Sequence, residues 1–100
     1  MEGKNITDMI EYPQKGVLSK RVSENEKAET SLFCMAEGTD IGNHTSTKQG
    51  IVYVIEGDGI FNLKGQDIEM KSGVMINMDE NAVHSLKANK NTSFLLILIK

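Results

Sequence analysis

Ile51-Val52-Tyr53-Val54-Ile55-Glu56-Gly57-Asp58-Gly59 decides the fold class. Four of its first six residues are β-branched and a fifth is tyrosine, the composition that fits a pleated, half-buried surface. The run then halts at a glycine-rich triplet that reads as hairpin punctuation. The same grammar continues on both sides. Downstream, Ile60 to Leu63 and Gln66 to Met70 flank Lys64-Gly65, a tight hairpin signal. Lys71-Ser72-Gly73 then sets off Val74 to Met78, and Phe94 to Ile99 closes the chain as a strand-sized apolar run. Upstream, Val17 to Val22 and Lys27 to Ala36 are of strand length, the latter ending in the turn-rich Glu37-Gly38-Thr39-Asp40. Seven or more short strands without a sustained helical period predict an all-β, antiparallel sandwich or barrel. Before them, Ile6, Met9 and Ile10 have the spacing of one or two helical turns ahead of Pro13, the only proline. The expected division is an N-terminal extension over residues 1–16 and a β-barrel domain over residues 17–100.

One hundred residues suit one domain with one core. The chain is 39% hydrophobic and 25% charged, far from the profile of disorder. A net charge of −3 with scattered lysines and arginines lacks the clustered basic face that nucleic acid requires, so no nucleic-acid partner is expected. No stretch is long and apolar enough to span a bilayer, and Met1 to Ile10 has no signal-peptide pattern, so no membrane association is expected. The single cysteine, Cys34, cannot close an intrachain disulfide and reads as a buried, inert thiol, which favours a reducing compartment and a cytoplasmic location. Asn89-Lys90-Asn91 reads as an exposed loop.

The two histidines, His44 and His84, stand out on this β pattern. Imidazole is the commonest protein ligand for transition metals and the side chain most easily recruited for proton transfer near neutral pH. His44 precedes the decisive strand, and His84 follows Gly73, Asp79 and Asn81. In these settings the chain, over about residues 30 to 99, resembles the cupin superfamily, whose small barrels carry two short motifs. The first motif has two histidines one residue apart and then a glutamate before a strand ending in glycine. His44 matches its first histidine, Ser46 stands at the second, Gly50 falls at the glutamate, and Tyr53 to Gly57 fit the strand and turn. The second motif runs from glycine through proline and glycine to histidine; here Gly73, Asp79, Asn81 and His84 occupy those places. The resemblance implies a jelly-roll β-barrel in which His44 and His84 face each other. It also implies a metal site from which Ser46 and Gly50 remove two of the four usual ligands.

His44 and His84 are therefore the candidate metal ligands, for iron, manganese, nickel or zinc, and with Ser46 they are the candidate ligand pocket. Strand alternation expects His44 and Ser46 on one face. Asp40, Glu56 and Asp58 are expected in solvated positions rather than as the missing carboxylate. The six methionines raise soft-metal binding, but Met75 and Met78 fall on opposite faces of a regular strand, and methionine commonly fills irregular cores. Three functions follow from these residues. The first is a small-molecule binding cupin with or without a weakly held divalent ion. The second is a metal-dependent cupin enzyme of the dioxygenase, isomerase or decarboxylase type. The third is a structural or regulatory dimer with a filled barrel. A homodimer is expected in each case, with Val17 to Val22 as the strand the resemblance implicates and an edge that a partner would cover.

Overall fold

The computed structural model describes residues 3–100. A short 3₁₀ helix, Ile6–Met9, capped by the Asn5 side chain, precedes nine strands. They are β1 (Val17–Glu24), β2 (Ala28–Met35), β3 (Asp40–His44), β4 (Gln49–Glu56), β5 (Gly59–Leu63), β6 (Gln66–Met70), β7 (Met75–Met78), β8 (His84–Ala88) and β9 (Thr92–Ile99). All pairings are antiparallel, in a five-stranded sheet of order β1-β2-β9-β4-β7 and a four-stranded sheet of order β3-β8-β5-β6. The fold is all-β as the sequence predicts, but the ladders make two open sheets packed face to face rather than one closed barrel.

The core lies between the sheets. Val52 and Val54 of β4 are buried, whereas Tyr53 between them points outward, the period of two expected of a strand with one covered face. Ile76 and Met78 of β7 and Phe94 of β9 join them from the same sheet, and Phe61 and Leu86 oppose them from the other. On the outer face, Leu32, Cys34 and Ser93 are nonetheless fully buried. The N-terminal segment lies back over β1, where Glu11 pairs with Lys20 at 2.9 Å and Lys4 Nζ donates to the Val22 carbonyl. Burial raises the pKa of the Tyr12 phenol, and the neighbouring Glu56 charge adds to that.

Two turns differ in kind. Lys64 and Gly65 both adopt positive φ, 52° and 86°, and join β5 to β6 as a tight hairpin, as their sequence predicts. Gly57-Asp58-Gly59 does not. It carries the chain from one sheet to the other, because β4 and β5 never pair. Gly57 has φ 135°, and a Cβ there would lie 2.5 Å from the Thr92 Cα. The crossing is pinned where Thr92 Oγ1 accepts from Asp58 N at 3.1 Å and the Asp58 carbonyl accepts from Asn89 N at 2.9 Å. The exposed Asn89-Lys90-Asn91 loop is thus one wall of the crossing.

Candidate functional site

His44 ends β3 and His84 begins β8, and the two are direct partners across the ladder. Their ring centroids lie 4.0 Å apart with the planes tilted by 60°. A bulge sets this relationship. Ile41 faces Leu86 and His44 faces His84, so three steps along β3 match two along β8. The extra residue within Gly42-Asn43 returns His44 to the face that Ile41 occupies, an orientation that strict alternation would give to Asn43.

Each imidazole is held by a backbone carbonyl two residues before it. His44 Nδ1 donates to Gly42 O at 2.8 Å, and His84 Nδ1 donates to Ala82 O at 3.0 Å. A carbonyl only accepts, so the proton of each neutral ring is on Nδ1 and the lone pair is on Nε2. His84 is buried, stacked on Phe61 at 5.5 Å between centroids, whereas His44 is exposed. Desolvation lowers the His84 pKa from its ordinary value; the Ala82 hydrogen bond opposes this and the nearby His44 adds to it.

Both rings border a cavity of about 100 Å³ between the sheets. Phe33, Val52, Phe94 and Leu96 wall it from the five-stranded sheet and Ile41, Phe61 and Leu86 from the other, with Met78 completing the lining. Ser46 is elsewhere. β3 ends at His44, so alternation does not extend to Ser46, which sits in the following loop. There its carbonyl accepts from Asn81 N at 2.7 Å and its hydroxyl accepts from Lys48 N at 3.2 Å. The expectation that His44 and Ser46 share the pocket is corrected accordingly. Asn81 has φ 64°, the left-handed conformation that a motif glycine supplies and asparagine tolerates.

The carboxylates stay outside. Asp40 starts β3 rather than lying in a loop, Glu56 is beside Tyr12, and Asp58 holds the sheet crossing; none lines the cavity. Among the described residues no group of three or more His, Cys, Asp or Glu could hold a metal ion. Sequence reasoning separates Met75 from Met78 by face, and the two are 59% and 5% exposed. It leaves unassigned the contribution of Met78 to the cavity wall. The signal was Gly50: these residues are partners across β4 and β7, and the Met78 Cε lies 3.0 Å from where a Gly50 Cβ would stand.

The sequence profile of the cupin domain matches residues 31–100. The chain belongs to the cupin family. An oxalate-binding protein of Thermotoga maritima is 28% identical over 86 residues, which cover 83% of this chain and 71% of that protein. A cupin superfamily protein from Desulfitobacterium hafniense superposes with a TM-score of 0.88 at 17% identity, over 99% of this chain and 92% of that one. Salicylate 1,2-dioxygenase from Pseudoaminobacter salicylatoxidans contains the same fold, with a TM-score of 0.78 at 16% identity, over 83% of this cupin and 26% of the dioxygenase. At these identities the structural likenesses establish the fold alone.

Proposed function

We propose that this cupin binds a small, largely apolar molecule in the cavity between its sheets, with His44 and His84 as the polar contact. The carrying observation is the cavity itself: about 100 Å³, walled by hydrocarbon side chains and ended by two imidazoles whose Nε2 atoms are free to accept. Apolar walls with a few convergent polar groups are the usual composition of a ligand site. The volume limits the buried part of the ligand to a few heavy atoms, since an engineered cavity of about 150 Å³ is filled by benzene. Two acceptors call for a donor, so a hydroxyl or an undissociated acid fits better than a bare carboxylate. The oxalate-binding relative supports a small organic molecule as the ligand class.

A resident divalent ion does not fit these residues. Iron, manganese, nickel or zinc would meet two imidazoles and no carboxylate, below the three protein ligands that such catalytic sites normally provide. Without a protein-held ion the enzyme reading has no residue to carry its chemistry, and binding is the function the geometry favours.

The fold reading extends to a jelly roll. With β1 set aside, the sheets have orders β2-β9-β4-β7 and β3-β8-β5-β6, which fits a double Greek key of eight strands. Association as a homodimer through β1 is supported by that strand's place at the sheet edge. A cytoplasmic location is supported by the buried free thiol of Cys34. No helix among the described residues is long and apolar enough to cross a membrane.

The test is a thermal-shift screen of chelator-treated protein against short alcohols, phenols and acids, followed by imidazole NMR for each hit. At least one compound should raise the melting temperature by mass action and move the His44 and His84 ring signals. Stabilisation that leaves both rings unmoved, or none at all, would remove the proposal.

A further inference from the structure

We propose that His44, His84 and Met78 form a site for a soft monovalent cation, copper(I). Among the described residues that line the cavity, these three are the only ones whose side chains carry a nitrogen, oxygen or sulfur atom. The donor inventory is therefore two imidazoles and one thioether, with no oxygen. Thioether and imidazole together suit copper(I), whereas manganese and magnesium prefer carboxylates, carbonyls and water. Copper(I) is a d¹⁰ ion satisfied by two or three donors, so this short inventory is sufficient for it.

Three further observations point the same way. Both Nδ1 atoms are engaged by carbonyl oxygens, the outer arrangement that fixes the tautomer and orients Nε2 toward a metal. No carboxylate lines the cavity to neutralise a bound ion. The Born cost of desolvation rises with the square of the charge, so a monovalent ion enters for about a quarter of what a divalent ion of equal size requires. Finally, glycine at position 50 leaves room for the Met78 side chain. Its Cε stands 3.0 Å from the absent Cβ, in space that any larger residue at 50 would contest. A thioether occupies the wall where the family's motif would bring a carboxylate. Burial also keeps His84 unprotonated to lower pH than an exposed imidazole, which preserves its lone pair.

The inference rests on the same cavity as the small-molecule reading, and the experiment separates the two by using protein stripped of metal and ligand. Under anaerobic conditions it is titrated against the copper(I) complex of bicinchoninate, and the loaded protein is examined by copper X-ray absorption. The expected result is withdrawal of one equivalent of copper(I) and a first shell of two nitrogens and one sulfur. Met78→Leu, which keeps the apolar volume, should stay folded by circular dichroism and lose the sulfur scatterer. It should also weaken binding beyond the roughly tenfold that disturbing an outer partner costs. Cys34→Ala should leave the shell unchanged, because the single thiol lies on the opposite face of the sheet. Failure to withdraw copper(I), an unaltered shell in Met78→Leu, or displacement of copper(I) by equimolar zinc would each overturn the proposal. Small-molecule hits obtained on metal-free protein would stand in all three cases.

Discussion

Gly50 and Met78 face each other across the β4–β7 ladder, and the missing side chain of the first is filled by the end of the second. Gly50→Glu should reverse that exchange. A Cβ at 50 meets Met78 Cε at 3.0 Å and Leu98 Cδ2 at 3.3 Å, both ends of flexible side chains that can give way. The new carboxylate would supply the oxygen donor the site lacks, so calorimetry should detect tighter zinc or manganese binding than in the parent. Without metal the buried acid should cost on the order of 2 kcal/mol in urea unfolding, more than the Gly50→Ala control. Equal divalent affinity in parent and variant would show that position 50 does not reach the imidazoles.

Acidification should weaken the metal-free protein through His84. Its pKa in the folded state lies below the ordinary 6.5, chiefly because burial disfavours the imidazolium. Between those two values the unfolded chain binds the extra proton and the folded chain does not, so stability falls as pH is lowered through that window. Below the folded pKa both states are protonated and the dependence flattens. Melting curves from about pH 7.5 to 5 should therefore show the parent losing stability relative to His84→Gln. Parallel curves would place the proton uptake elsewhere.

Gly57 should tolerate no side chain. At φ 135° an L-residue is strained, and its Cβ would collide with the Thr92 backbone, which cannot rotate away. Gly57→Ala should lower unfolding free energy by at least about 2 kcal/mol. Gly65→Ala, strained in φ but with open space around it, should lose less. The order of the two midpoints in denaturant tests the steric account directly.

Sedimentation should show a dimer whose population depends on concentration. Val17→Lys with Ser19→Lys adds like charges to the β1 edge and should shift the equilibrium to monomer without altering circular dichroism. A monomer at every concentration in the parent would end the proposal of strand-mediated assembly.

How much the sequence discloses depends on burial contrast. β4 was legible because Val52 and Val54 alternate with outward neighbours, and Lys64-Gly65 because its turn demands positive φ. β3 and β8 were not recognised as strands. In Asp40–His44 four of five residues are exposed and the sole large hydrophobe is Ile41, so nothing in its pattern separates it from a loop. Gly57-Asp58-Gly59 looks like a hairpin because glycine serves equally where two backbones approach, and only the partner, Thr92, distinguishes the cases. The histidines were legible by kind and motif. The displacement of Ser46 and the inclusion of Met78 were not, since they depend on where β3 stops and on what stands opposite an absent side chain.

The bulge in β3 makes the cavity's outer polar group a matter of register. Ile41 and Leu86 stay paired on either side of the choice, so the hydrophobic core has no stake in it. A slip of one residue beyond Ile41 would seat the Asn43 amide opposite His84 and turn the imidazole of His44 to solvent. One backbone irregularity thus selects between an amide and a ring at the same place, and a change that smoothed the strand would erase the histidine pair while leaving both histidines in the chain.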